Sequence, residues 1–303
     1  MGALKNFFRY LPLSQSDLAR GLYVSGGGYA LIPPGTPYPP ARHPRGHHFS
    51  WARGRALSAH QIVYVSRGGG RFESAAAGSA EVRPGDVMLL FPGVWHRYAP
   101  HADTGWDEHW VEFGGPFVRT LYDETGLDGA RPVVHVGGDP EFLGLYSRVM
   151  SEVELERVGH QHVLAATTVR IIAEVGVTPT RRAFRDTTIE RAIERAKAIF
   201  AKSAGVSLNM EEVAERLDVG YTWFRRMFKE YTGMSPGQYH LQLRVGRARR
   251  LLENTSLTVS QIADACGFTT DRYFVRLFRE KTGTTPGEYR KAQSWSAGDR
   301  ANS

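Results

Sequence analysis

Residues 208–239 read LNMEEVAERLDVGYTWFRRMFKEYTGMSPGQY, and residues 257–289 repeat the pattern as LTVSQIADACGFTTDRYFVRLFREKTGTTPGEY. The first parts of the two copies align at an offset of 49 residues, and the last parts align at an offset of 50. Each copy predicts a short helix, a turn at Asp218 or Gly267, and a second helix. This order is typical of a helix-turn-helix.

Both copies carry the signals that begin a short helix and the residues that a DNA-reading helix needs. Asn209 with Glu212, and Thr258 with Gln261, are spaced as capping boxes. In the second helices, Phe224/Phe228 and Phe274/Phe278 are predicted to face a core. The positions between them are basic, and arginine side chains in a major groove can bond guanine edges and phosphates. These basic residues are Arg225, Arg226, Lys229, Arg272, Arg276 and Arg279.

The segment from Tyr239 to Glu253 joins the two copies and predicts one continuous helix. A rigid joint would hold the two reading helices at a fixed spacing, suited to successive turns of one duplex face. Four arginines of this segment either contribute to that basic surface or form an ordinary solvated helix face. They are Arg244, Arg247, Arg249 and Arg250.

Charge is unevenly distributed along the 303 residues, whose formal net charge is +7. Residues 187–303 hold 19 Lys and Arg against 13 Asp and Glu, whereas residues 1–186 hold 19 against 18. A basic half beside a neutral half indicates a module that binds a polyanion. A solvated basic surface would give the same composition.

The N-terminal half has short strand signals separated by Gly and Pro, which predict a sandwich or a barrel. They are residues 61–65, 87–91 and 110–113. Two amphipathic stretches, 142–155 and 161–174, then predict a pair of helices. We therefore expect an α+β multidomain protein with a barrel domain at 1–175, a linker at 176–186, an all-α domain at 187–292 and a disordered tail at 293–303.

Strand alternation places His96 and Tyr98 on one face, and Glu108 and Trp110 on one face of the next strand. An aromatic ring with neighbouring hydrogen-bonding groups suits a polyol, because sugar C–H faces stack on the ring. An inward Trp is equally typical of an ordinary core. Both interpretations stay open on the sequence alone.

The repeat, its joining helix and its two Gly-x-x-Pro exits resemble the DNA-binding domain of the AraC family of bacterial transcription regulators, over about Thr188 to Arg290. The resemblance implies base-reading positions in both second helices. The implied DNA-binding residues are Thr222, Arg225, Arg226, Lys229, Asp271, Arg272, Val275, Arg276 and Arg279. Asp271 departs from a basic reading surface, since its carboxylate would be repelled by phosphate.

Residues 51–113 resemble the cupin-like effector domain of sugar-responsive members of that family. The resemblance implies a jelly-roll barrel with the ligand inside, and dimerisation through the helices after it. It implies a sugar effector, and activation of carbohydrate catabolism genes with RNA polymerase as partner. The implied ligand contacts are Arg53, His96, Tyr98, Glu108 and Trp110, with Arg55 a second candidate for the role of Arg53. Sugar-binding relatives often carry His at the position of Glu108. This departure leaves the identity of the ligand open.

Two other functions fit the same chain. One is a constitutive DNA-binding protein whose barrel only dimerises, and the other is a metal-dependent cupin enzyme fused to a DNA-binding domain. No His-x-His pair occurs among the barrel histidines, so no metal cofactor is expected there; they are His43, His47, His48, His60, His96, His101 and His109. The single cysteine, Cys266, excludes an intrachain disulfide and indicates a core residue in a reducing cytosol. We expect double-stranded DNA and a second copy of the chain as partners, and no membrane.

Overall fold

Two antiparallel sheets form the N-terminal unit of the chain, Met1–Ala183. The structure is a computed structural model, and it describes residues 6–39 and 50–298. Within these residues the strands of the six-stranded sheet follow the order β1-β2-β8-β3-β6-β9, and those of the three-stranded sheet the order β5-β4-β7. The strands are β1 (Phe7–Tyr10), β2 (Tyr23–Ile32), β3 (His60–Gly68), β4 (Gly70–Ser74), β5 (Gly78–Val82), β6 (Asp86–Leu90), β7 (His96–Pro100), β8 (Trp106–Gly114) and β9 (Val133–His135).

The six-stranded sheet separates two apolar cores. Its inner face, which is the face turned toward the three-stranded sheet, contributes Val63 and Met88 to a core that also contains Phe72 of β4. Its outer face contributes Ile62 and Phe113 to a core with the helices. Two sheets around one core are the predicted cupin-like jelly-roll architecture, which is confirmed.

Helices cover the outer face of the six-stranded sheet. They are α2 (Phe117–Thr125), α3 (Pro140–Leu155) and α4 (His160–Phe184), whereas the short helix α1 (Gln15–Leu18), between β1 and β2, has no buried residue. Helix α3 begins at an Asp139 cap whose side chain accepts a hydrogen bond from the Glu141 N–H. The predicted helix pair thus corresponds to α3 and α4, and α4 ends ten residues later than expected.

The predicted linker at 176–186 lies mostly inside α4, which continues to Phe184. Gly and Pro commonly interrupt a helix, but Gly176 and Pro179 are both accommodated inside α4. A Cβ at position 176 would lie 2.5 Å from the Thr125 Cβ, so Gly176 permits close packing of α4 on α2. Beyond the proline, Arg181 donates to Glu174 at 2.8 Å and ties the two halves of α4 together.

Helix α4 also has the length and apolar content of a segment that crosses a membrane. Its most apolar 18 residues have a mean hydropathy of 1.2. Part of this apolar content is explained by packing, because Leu164, Ile171, Ile172 and Val175 are fully buried in the core on the outer face.

The C-terminal unit, Phe184–Ser303, is helical throughout its described residues. Its helices are α5 (Thr188–Lys202), α6 (Met210–Arg216), α7 (Tyr221–Thr232), α8 (Pro236–Asn254), α9 (Val259–Ala265), α10 (Asp271–Thr282) and α11 (Pro286–Gly298). Helices α6 and α7 form the first helix-turn-helix copy, and α9 and α10 form the second. Each copy has its own core, and the joining helix α8 contributes to both through Leu243 and Val245.

The turns of the two copies share one backbone conformation. Asp218 and Gly267 have φ angles of 57° and 69°, in the left-handed region. The Thr258–Gln261 capping box is present as predicted. Asn209 differs, because it caps the Glu211 N–H while the Glu212 side chain accepts from the Asn209 side chain.

The predicted disordered tail at 293–303 is wrong for the part of it that the structure describes, because residues 293–298 are helical. Helix α11 continues to Gly298, and residues 299–303 lie outside the described part of the chain.

Candidate effector site and nucleic-acid interface

Helix α7 has one buried side and one basic side. Phe224 and Phe228 are fully buried, and their rings pack at a centroid distance of 5.5 Å. The four expected DNA contacts of this helix are all exposed to solvent: Thr222, Arg225, Arg226 and Lys229. The i,i+4 spacing of the phenylalanines thus orients the polar residues away from the core.

Helix α10 repeats this arrangement. Phe274 and Phe278 are buried, and an open concavity is lined by five of the expected DNA contacts together with Thr285. These contacts are Asp271, Arg272, Val275, Arg276 and Arg279. The guanidinium of Arg276 lies 5.6 Å from the centroid of the Tyr273 ring. Val275 is half-buried, whereas the other four are exposed.

The arginines of α8 have different environments. Arg244 is buried, donates to the carbonyl oxygens of Cys266 and Gly267, and lies 4.2 Å from the centroid of the Phe268 ring. It therefore fixes the turn of the second copy against α8. Arg247, Arg249 and Arg250 are exposed, as on a solvated helix face.

Polar side chains collect on the inner face of the N-terminal unit. Strand β8 places Glu108, Trp110 and Glu112 there by alternation, and β7 adds His96 and Tyr98 from the opposite sheet. Both carboxyl groups are almost completely buried, at 5% and 6% exposure. The structure thus brings together four of the five expected ligand contacts.

Hydrogen bonds connect this cluster to two residues that precede β3. The Tyr38 hydroxyl donates to Glu108 at 2.9 Å, and Arg55 Nη2 donates to the Tyr98 hydroxyl at 2.7 Å. Burial raises the pKa of Glu108 to about 7, although Tyr38 and Arg55 oppose the rise. Burial also lowers the pKa of His96 to about 4, so the imidazole is neutral at physiological pH.

Arg53 does not join this cluster. It is exposed in a turn that begins at Ser50, and its carbonyl oxygen accepts from the Trp95 indole at 2.8 Å. Arg55 occupies the inner position instead, because its backbone pairs with His96. The expectation for Arg53 therefore shifts to Arg55, the second candidate. Trp95 likewise packs outside, with the Arg97 guanidinium over its ring.

Sequence reasoning missed several members of the cluster. Gln61 and Glu112 lie directly opposite each other on β3 and β8, and extending the alternation of Val63 and Trp110 by two residues would have found both. Tyr10 lies over Trp110 with a ring centroid distance of 5.6 Å. No local signal marks Tyr10 or Tyr38, because each reaches the cluster from a distant segment.

Where the structure describes them, the histidines considered for a metal site are dispersed. In residues 6–39 and 50–298, no three His, Cys, Asp or Glu side chains group as a metal site. His60 packs among aromatic rings on the outer face, and His101 pairs with Glu81. His43, His47 and His48 lie outside the described residues.

Comparisons with known proteins match both units. Residues 34–167 match the family model of an AraC-like ligand binding domain, and residues 213–292 match that of a helix-turn-helix domain. The MmsAB operon regulatory protein of Pseudomonas aeruginosa is 27% identical over 235 residues, which are 75% of this chain and 75% of that protein. The Msm operon regulatory protein of Streptococcus mutans is 24% identical over 205 residues, 64% of this chain and 70% of that protein.

A solved structure is also similar to the chain. It is a transcriptional regulator of Chromobacterium violaceum described by its AraC-type DNA-binding domain. It is 32% identical, covers 34% of this chain and 93% of its own, and has a TM-score of 0.33.

Proposed function

Because this chain belongs to the AraC family of DNA-binding transcription regulators, we propose that it activates carbohydrate catabolism genes in response to a sugar effector. The N-terminal unit binds the effector, and the C-terminal unit reads the operator. The protein acts as a cytoplasmic homodimer, and RNA polymerase is its partner in activation. The relatives that support this proposal are regulators of operons.

The buried polar cluster of the inner face carries the effector part of the proposal. A barrel that only dimerises needs no polar groups in its interior, and buried polar groups destabilise a fold unless they gain partners. Trp110 and Tyr98 offer rings to sugar C–H faces, and Arg55 and Glu108 offer a donor and an acceptor to hydroxyls. This set supports ligand binding, rather than catalysis, as the work of the domain.

The exposed basic sides of α7 and α10 support operator reading by both copies. Selection from random duplexes would identify a bound sequence. Arg225→Ala should then weaken binding to it by about 1–3 kcal/mol and relax the preference at one position. Arg119→Ala, which removes an exposed arginine from the N-terminal unit, is the matched control. An unchanged preference in Arg225→Ala would show that the reading residues are placed wrongly.

A titration of tryptophan fluorescence with neutral pentoses, hexoses and short oligosaccharides tests the effector. One sugar should give a saturable change that Trp110→Ala abolishes and Trp223→Ala, in α7, preserves. A flat response to the whole panel would contradict a neutral sugar effector. The DNA-binding assignment does not depend on that result.

A further inference from the structure

The third residue of each reading helix, α7 and α10, is an exposed aromatic residue. Trp223 is 41% exposed in α7, and Tyr273 is 38% exposed in α10. The two positions are 50 residues apart, which is the offset that aligns the second helices of the two copies. One exposed aromatic residue needs no explanation, but its repetition at the same position of both copies indicates a shared role.

Each aromatic residue begins a row of side chains that borders the core. Residues four and seven positions later lie on the same side of a helix. In both copies the second member of this row is at least half-buried, and the third is an exposed glutamate. The rows are Trp223, Met227 and Glu230 in α7, and Tyr273, Leu277 and Glu280 in α10.

The acidic ends of these rows limit where DNA can approach them. Glu230 and Glu280 are exposed, and a carboxylate is repelled by phosphate. In a helix-turn-helix, the N-terminal residues of the second helix are the ones that enter the major groove. Within each row, the aromatic residue in the first turn is therefore the member placed to contact DNA.

The aromatic residues lie beside the basic residues rather than in line with them. Successive residues are rotated by about 100° around a helix axis, so Trp223 is turned away from Thr222, and Tyr273 from Arg272. The open concavity along α10 is lined by Arg272 and Arg276, but not by Tyr273. When the basic residues face base edges, the aromatic residues thus face a wall of the groove. That wall consists of sugar and phosphate.

Contacts within the second copy hold the Tyr273 ring. The ring centroid lies 6.2 Å from that of Phe268, and the Arg276 guanidinium lies 5.6 Å from it. The backbone N–H of Tyr273 donates to the Thr270 side chain at 3.2 Å. A ring held in this way binds DNA with little loss of side-chain freedom.

We propose that Trp223 and Tyr273 bind the DNA backbone at the wall of the major groove. Each ring packs on a deoxyribose, and the indole N–H or the phenol O–H donates to a phosphate. Both side chains combine an apolar ring with one donor, and a sugar beside a phosphate matches both parts. Such a contact fixes the register of each reading helix, while the arginines distinguish the bases.

This inference rests on the proposed operator reading by α7 and α10, to which it adds the residues that position these helices. The test measures binding of the full chain to the duplex selected from random sequences. Trp223→Phe and Tyr273→Phe each remove the donor and keep an aromatic ring. Affinity should fall about tenfold in each variant, and equally for single-base variants of the duplex, because the lost bond is to phosphate.

The same change in the N-terminal unit is the matched control. Tyr29→Phe removes a hydroxyl from β2 and should bind the duplex as tightly as the natural protein. The thermal transitions of all three variants check that they fold. Because Trp223 and Tyr273 belong to separate copies, either variant tests the inference if the other does not fold.

Salt dependence and a modified backbone distinguish this contact from those of the arginines. An indole or a phenol releases no counterion, so the dependence of affinity on salt should be unchanged in both variants. A methylphosphonate removes the charge of one phosphate. Among the positions where it weakens binding by the natural protein, one in each copy should lose its effect in the matching variant.

Each outcome has a separate meaning. Natural affinity in folded Trp223→Phe and Tyr273→Phe overturns this inference, and the proposed operator reading stands if Arg225→Ala still relaxes the preference. A changed base preference in either variant overturns the contact with the wall, because a base is then bound. If Arg225→Ala also leaves the preference unchanged, the reading surface itself is placed wrongly.

Discussion

Glu108 is a carboxyl group whose protonation is coupled to the stability of the N-terminal unit. It is 5% exposed, and burial raises its pKa from 4.5 to about 7 in the folded state. The folded chain therefore binds this proton more tightly than the unfolded chain. The contribution of Glu108 to the free energy of unfolding is most favourable below its pKa in the unfolded chain. This contribution is lost as the pH rises through about 7.

Glu108→Gln should remove this pH dependence, because an amide has no charged form to bury. The stability of the variant relative to the natural protein should grow by roughly 2–3 kcal/mol between about pH 5 and about pH 8. Urea unfolding of both proteins across this range measures it. Glu124→Gln should show no such trend, and a pH-independent difference for Glu108→Gln would contradict the shifted pKa.

Single residues were predicted well where alternation along one strand decides their orientation. Tyr98, Glu108 and Trp110 share the inner face for that reason. Arg53 and Arg55 could not be separated in the same way, because the turn at Ser50–Gly54 reverses the chain before Arg55 pairs with His96. Hydrogen bonds of such a turn depend on contacts distant in sequence.

At the scale of elements, the turns at Asp218 and Gly267 can be compared by mutation, because both residues have left-handed backbone angles. Gly267→Ala should destabilise the second copy by at least about 2 kcal/mol, because a left-handed residue is strained and its Cβ would need space already filled. That Cβ would lie 2.6 Å from the Val206 Cα. Asp218→Gly should change stability by no more than about 1 kcal/mol, because relief of strain offsets the added freedom of the unfolded chain.

Urea unfolding of the two variants measures this difference. Equal effects of the two substitutions would contradict the assigned difference in packing around the turns. Thr222→Ala, at an exposed position of α7, controls for changes that do not affect a turn.

Helices with capped ends were predicted closely, whereas the end of α4 was not. Local signals decide a capped end, as at Thr258 and Gln261. The end of α4 depends on tertiary packing, because Gly176 is required beside Thr125 and Pro179 is tolerated within the helix. Such packing overrides the breaker signals of Gly and Pro.

At the scale of the whole molecule, effector and DNA binding should be linked. If a sugar changes the affinity for the operator by some factor, DNA must change the affinity for that sugar by the same factor. Couplings of this kind are typically about 1–3 kcal/mol. Titrating each ligand in the presence and absence of the other measures both factors, and no change in either direction would contradict an effector-controlled regulator.

The order of the two domains and their fold classes followed from sequence, and both are confirmed. The complete inner cluster did not follow, because Tyr10, Tyr38, Arg55 and Gln61 come from four separate segments. Backbone pairing brings Tyr10, Arg55 and Gln61 to one face, and Tyr38 joins them from a loop through its hydrogen bond to Glu108.

Cys266 ends α9, is fully buried, and is the only cysteine of the chain. Its carbonyl oxygen accepts from Arg244, and burial raises the pKa of its thiol. The thiolate is the nucleophile that attacks a thiol reagent, and Cys266 is buried with its thiol protonated, so the reaction must wait until the second copy opens. The rate at which the reagent labels Cys266 therefore reports how readily the second copy opens. Operator DNA bound to α10 should lower this labelling rate.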